Sequence, residues 1–153
     1  MLREEIQQTK PFSSTAEEVF LNLQRTAGLL MQSLTHMLKQ HQLTPTQYNV
    51  LRILRGAHPD NLTCGEIGSR MVTPEPDVTR LVDRLVKREL VVRQRDTRDR
   101  RVVRVGIADS GLDLLAGLDE PIEVWMAEHL GHIAETELNH LSNLLEKARR
   151  QLI

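Results

Sequence analysis

Apolar positions keep a helical spacing through the first half of the chain, switch to β-branched runs near its middle, and return to helical spacing at the end. Residues 1–12 read as a short arm, because Pro11 pushes the residue before it away from helix. Leu2, Ile6 and Phe12 give this arm something to bury, for instance against a partner subunit. Ser14-Thr15-Ala16-Glu17 fits a capping box, in which Ser and Glu satisfy each other's exposed backbone donors. Behind it Phe20, Leu23, Ala27, Leu30, Leu34, Met37 and Leu38 predict a long helix up to about His41. Thr44-Pro45-Thr46-Gln47 opens a second helix with a stripe of Val50, Leu51 and Leu54, ended by Gly56. After the loop GAHPDN, Thr63-Cys64-Gly65-Glu66 is a further capping box, opening a short helix with Ile67 and Met71 inside. Thr73-Pro74 is expected to start the next helix, whose Val78, Leu81, Val82, Leu85 and Val86 form a full amphipathic signature.

Past Leu90 the period changes. Leu90-Val91-Val92 on one side and Val102, Val103, Val105 and Ile107 on the other flank QRDTRDRR, and predict two antiparallel strands around a charged hairpin. From Asp109 the spacing is helical again. Leu112, Leu115, Leu118, Ile122, Trp125 and Met126 form one stripe, and Leu138, Leu141, Leu145, Ala148 and Leu152 form another. Pro121 is expected to kink the first of these helices. The order is helix, helix, short helix, helix, strand, strand, helix, helix, a mainly α (α+β) chain. A short helix, a tight turn, an amphipathic helix and a β-hairpin make the pattern of a winged helix-turn-helix.

Composition adds that the core is aliphatic, since aromatics are 3% of 153 residues. A net charge of −1 hides a segregation: residues 80–104 hold ten of the 20 Lys and Arg but four of the 21 Asp and Glu, +6 against −7 elsewhere. Such a segment suits a polyanion, although a solvated charged face has the same composition. The single cysteine, Cys64, excludes an intramolecular disulfide and fits a reducing compartment. No run approaches the roughly 20 apolar residues of a membrane span, and MLREEIQQTK lacks the apolar core of a secretory signal. A cytoplasmic protein without membrane contact is expected.

On the fourth helix of this reading, a rotation of about 100° per residue turns Asp77, Arg80, Arg84 and Lys87 outward, with Thr73 and Pro76 on the same side at its start and Thr79 beside Arg80. Arg80 suits a guanine edge and Asp77 a cytosine amino group in a major groove. The Thr73 hydroxyl and first-turn amides suit a phosphate, less the two amides that Pro74 and Pro76 remove. Any amphipathic helix shows arginines to solvent, so the helix alone decides nothing. The hairpin does: Arg93, Arg95, Arg98, Arg100, Arg101 and Arg104 are six arginines in twelve residues, with only Asp96 and Asp99 among them. Guanidinium suits a narrow minor groove, and Asp99 is placed to hold an arginine and shape the tip.

At these residues the chain resembles the MarR (multiple antibiotic resistance regulator) family of winged helix-turn-helix transcriptional regulators. The resemblance runs from about Phe20 to the C-terminus, through LTPTQYNVLRIL, LTCGEIGSRM, DVTRLVDRLVKREL and above all RDTRDRRVVRVGIADSG, whose Asp99-Arg100-Arg101 and Gly111 are its most specific part. It implies a bacterial regulator, usually a repressor, that binds pseudo-palindromic double-stranded DNA as a homodimer joined through its N- and C-terminal helices. It implies Arg101 at the wing tip in the minor groove with Asp99 as its support, and a small aromatic or phenolic effector that releases DNA. Domain limits follow: 1–42 arm and long helix, part of the dimerisation region; 43–108 winged helix; 109–153 C-terminal dimerisation helices. The broad apolar stripes of the terminal helices, wider than a small winged domain needs to cover itself, point to a dimer independently.

Departures from the family pattern are Glu89 where Gly is usual after the fourth helix, Ala108 where Thr is usual with Asp109 as replacement cap, no good cap near Ala134, and Pro76 in the recognition helix. The effector pocket implied by the family layout draws on His36, Gln47 and Tyr48, the last of which is equally a core residue. Cys64 at a helix start has a reactive reading and a plainer one as a partly buried structural residue. His129 and His132, at i and i+3 on a helical segment, and His36 and His41 raise the question of metal, but no His and Cys stand at fingerlike spacing, and no metal or cofactor is expected. With no nucleophile paired to a base, no phosphate-binding glycine loop and no useful carboxylate pair, an enzyme is not expected. A protein-interaction adaptor on the same scaffold is the alternative, and six hairpin arginines argue against it.

Overall fold

The computed structural model describes residues 1–152; Ile153, the expected end of the C-terminal helices, lies outside them. The elements are α1 (Leu2–Glu5), α2 (Thr15–Lys39), α3 (Pro45–Ala57), α4 (Cys64–Ser69), α5 (Val78–Lys87), β1 (Val91–Arg95), β2 (Val103–Ile107), α6 (Asp109–Leu130) and α7 (Glu135–Arg149). This is the expected order with one helix added in the arm. Leu2 of α1 is already buried within its own chain, and Glu5 pairs with Arg25 of α2 at 2.8 Å.

Two compact units divide the chain: Met1–Asp113, and a second beginning at Leu114. The first is assembled from well-capped helices. Thr44 and Gln47 exchange hydrogen bonds at the start of α3, as do Thr63 and Glu66 at α4, so both boxes form as expected. The box at α2 forms only by half. Ser14 accepts from the Glu17 amide, but the Glu17 carboxylate turns to the amide and hydroxyl of Ser13.

The core of this unit joins Leu38 of α2, Val50, Leu51 and Leu54 of α3, Ile67 of α4, Val82 and Leu85 of α5, and Val91 and Val105 of the hairpin, all nearly inaccessible to solvent. Burying each such side chain contributes about 1.5–3 kcal/mol relative to leaving it exposed. The strands pair antiparallel with Val91 opposite Ile107 and Arg95 opposite Val103. Leu62 adds an isolated bridge to Val105 and roots the hairpin beside α4.

Two backbone positions fix how the hairpin leaves α5 and enters α6. Glu89 is left-handed, with φ 58°, the conformation in which Gly is the unstrained residue. Gly111 lies where an added Cβ would be 2.3 Å from the Leu90 carbonyl oxygen and 2.8 Å from Ile107 Cγ1, so only glycine fits. Asp109 does not cap α6 but is its first residue, where its charge favours the positive end of the helix dipole. The helix continues through Pro121.

In the second unit α6 buries Leu115, Leu118 and Ile122. α7 has no buried residue, and Ala134 before it provides no side-chain cap, as expected.

Candidate nucleic-acid interface

The helix expected to face DNA begins later than its proline pattern suggests. α5 starts at Val78, not at Thr73-Pro74, and the connection from α4 spans residues 70–77. Each proline keeps the residue before it, Thr73 and Glu75, out of the helical region. Asp77 is the first side chain that can cap, and its Oδ1 accepts from the Arg80 amide at 3.0 Å. Pro74 and Pro76 therefore precede the helix and remove none of its first-turn amides. Thr73 and Pro76 are exposed ahead of it, and Val72 is pinned to Asn49 Oδ1 at 2.9 Å.

Asp77 also corrects its own expected role. Its second oxygen lies 3.0 Å from Arg80 Nε, so both carboxylate oxygens serve the helix terminus rather than standing free for a base. Arg80 keeps 81% of its side chain exposed despite that pair. Thr79, Arg84 and Lys87 are exposed, while Val78, Leu81, Val82 and Leu85 face the core. Arg84 and Lys87 make no side-chain bond among the described residues.

The wing divides its six arginines two ways. Arg93 is drawn back to α5, 2.5 Å from Asp83 and 3.4 Å from the Thr79 carbonyl. Arg104 bonds to Asp96 and to the Asn61 carbonyl. Arg93, expected among the DNA contacts, is thus committed to its own chain. Arg95, Arg98, Arg100 and Arg101 are exposed, and their side chains have no partner among the described residues.

The tip is shaped by two aspartates. Asp96 Oδ1 accepts from the amides of Arg98 at 2.7 Å and Asp99 at 3.2 Å. Arg104 first, and then those amides, hold its carboxyl down to about 2. Asp99 accepts from the Arg101 amide at 2.9 Å. Asp99 therefore supports Arg101 through the backbone, and of the two tip aspartates it is Asp96 that holds an arginine side chain, that of Arg104.

A family model described as the MarR family matches residues 41–102, the stretch from α3 through the wing tip. A MarR transcription factor from Planctomyces limnophilus is 40% identical, over 89% of this chain and 98% of that one, with a TM-score of 0.70. The chain belongs to the MarR family. Among curated relatives, the HTH-type transcriptional repressor MdtR of Bacillus subtilis (strain 168) is 28% identical over 85% of this chain and 83% of its own. The S. aureus MepR–DNA complex shares the fold, at 20% identity and a TM-score of 0.78 over 92% of this chain and 99% of that one. The structure also gives a reason for glycine at one position of the MarR-like segment, Gly111 beneath the Leu90 carbonyl.

Beside this MarR winged helix, a cavity of about 170 Å³ opens between α2, α3 and the α4–α5 connection, lined by Leu34, Tyr48, Arg52, Met71 and Val72 among others. Of the three expected pocket residues only Tyr48 reaches it, with the Arg52 guanidinium 5.8 Å from its ring centre. Gln47 is occupied in the α3 capping box, and His36 does not line the cavity. His132 lies in the turn after α6, so it does not share a helical segment with His129, whose ring stacks on Trp125 and meets the Trp125 carbonyl at 2.8 Å. No described group of His, Cys, Asp and Glu is arranged to hold a metal. Cys64 is a half-buried free thiol, and no described helix is long and apolar enough to cross a membrane.

The residues that sequence reasoning missed are Asp83, Asn61 and Glu66, the partners of the wing, and Arg52 in the cavity. The spacing Asp96-Thr97-Arg98-Asp99 was the available signal for the turn, since Asp side chains bond amides two and three residues on. Nothing local announces Asp83, ten residues before its arginine.

Proposed function

We propose that this chain is a cytoplasmic, sequence-specific DNA-binding transcriptional regulator, a repressor, acting as a homodimer on a pseudo-palindromic operator. Residues 43–108 form its DNA-binding unit, and residues 1–42 with 109–153 its dimerisation region. The observation that carries this reading is the wing tip: four exposed guanidinium groups, on Arg95, Arg98, Arg100 and Arg101, without acidic partners among the described residues. They stand on the same winged unit as the exposed basic side of α5. Arg101, its amide fixed by Asp99, enters a minor groove, while Thr79, Arg80, Arg84 and Lys87 face the major groove. Thr73 and Pro76 approach the backbone from the connection before α5. MdtR is a transcriptional repressor and MepR has been solved on DNA; these likenesses support the same activity here.

The cavity beside Tyr48 suits a small aromatic acid as effector, with its ring on Leu34 and Tyr48 and its carboxylate toward Arg52.

A mobility-shift assay with the region upstream of the protein's own gene tests the DNA reading. Wild type is expected to bind in the nanomolar range, with half-site centres about 10 bp apart. Arg101→Ala should bind at least about tenfold more weakly and lose about one unit of salt slope per subunit. Equal affinity of the two proteins across salt concentrations rejects the wing assignment, and no shift with wild type rejects the function.

A further inference from the structure

Partners in a two-stranded ribbon share a face. Arg93 lies opposite the buried Val105, and Arg104 opposite Gln94, so the two inward-turned arginines leave the hairpin from opposite faces. Arg93 reaches α5. Arg104 spans a polar cleft of about 560 Å³ between the wing and the connection before α4, lined by Asp60, Asn61, Glu66 and Asp96 among others. There Arg104 Nε meets Asp96 Oδ2, while Nη1 donates to the Asn61 carbonyl at 3.2 Å and lies 3.9 Å from Glu66 Oε2. Glu66 itself accepts from the Thr63 amide at 2.7 Å, at the start of α4. An unbroken run of polar contacts thus joins the first turn of α4, through one guanidinium, to the carboxylate that organises the amides of Arg98 and Asp99.

From this geometry we propose that Arg104 is a positioning residue: it locks the wing turn to α4 and so holds the tip arginines in register with α5, without touching DNA itself. This rests on the DNA reading above. A two-stranded ribbon is marginally stable alone, and an unlocked turn would lose conformational freedom on binding, a cost charged against affinity. The lock removes that cost beforehand. It needs a planar fork that reaches a carboxylate, a second carboxylate and a carbonyl together, which an ammonium does not offer. Arg93 braces the opposite face, so that four of six hairpin arginines remain for a polyanion.

The test uses full-length protein and a labelled mixed-sequence duplex of about 30 bp, with Kd read by fluorescence anisotropy and amide exchange followed at residues 98–101. Arg104→Gln should weaken binding about tenfold and speed exchange at the tip, and Arg104→Lys should recover only part of the affinity. Asp96→Asn, which opens the lock from its other end, should reproduce the loss. In a background already carrying Arg95→Ala, Arg98→Ala, Arg100→Ala and Arg101→Ala, Arg104→Gln should add nothing. An undiminished loss in that background shows direct contact with phosphate and overturns the proposal. So does wild-type affinity in both Arg104→Gln and Asp96→Asn. Failure of the wild type to bind any duplex overturns the DNA reading and this inference with it, whereas binding that ignores Arg104 overturns this inference alone.

Discussion

Asp96 gathers more donors than any other described carboxylate of the wing: one guanidinium and two backbone amides. Its carboxyl falls from 3.8 to about 2 in the folded chain. The unfolded chain therefore takes up the proton first, so this contribution to stability is complete above about pH 4 and is lost as pH falls through about 2. Urea melts of wild type and Asp96→Asn should differ by a constant amount between about pH 5 and 7, and the gap should close as pH falls from about 4 to about 2. A gap that persists unchanged in acid would assign the contribution to something other than the charge. Glu89 makes a different kind of prediction. At φ 58° it occupies a conformation that costs a side-chain-bearing residue about 1 kcal/mol. Glu89→Gly is expected to raise stability by about that amount, seen as a higher urea midpoint at unchanged m-value. Its carbonyl bond to Ser110 Oγ at 2.6 Å does not depend on the side chain.

Backbones pass close to one another where α6 begins. A methyl at position 111 would lie inside van der Waals contact with the Leu90 carbonyl, and that carbonyl already accepts from the Ala108 amide at 3.0 Å. Gly111→Ala must therefore shift the hairpin relative to the start of α6, at a cost of about 2–3 kcal/mol. A thermal melt checks this, and an unchanged midpoint would mean that the junction is softer than its geometry. At this scale the sequence was largely legible. Thr44 with Gln47 and Thr63 with Glu66 announce their helices because capping chemistry is local, and the valines around QRDTRDRR announce the strands because alternation is local too. The start of α5 was misread because Thr73-Pro74 satisfies the same local rule, while Pro76 and the better cap at Asp77 override it. The division of the arginines was not legible at all. Whether Arg93 meets Asp83, or Arg104 meets Asn61 and Glu66, depends on strand register and helix placement, which no spacing within the hairpin encodes. For the same reason Gln47 read as a pocket residue when its side chain was needed by its own helix.

Across the whole molecule the terminal helices carry the surface that a single chain leaves open. Phe20 and Leu23 of α2 remain 57% and 39% exposed, and Leu141 and Leu144 of α7 45% and 49%. In the proposed homodimer these faces are the ones to be covered. Phe20→Asp combined with Leu23→Asp should shift the protein from dimer to monomer in sedimentation velocity and abolish high-affinity operator binding. A double variant that still sediments as a dimer would move the interface elsewhere. The absence of any buried residue in α7 bears on more than assembly. A helix of about 15 residues is marginal in water unless something packs on it. Dilution of such a dimer would then melt its C-terminal helix as the subunits part, and the melting temperature would climb with protein concentration. Newly made chains would stay protease-sensitive until they met a second copy, so that regulator abundance would depend on the rate at which subunits find one another.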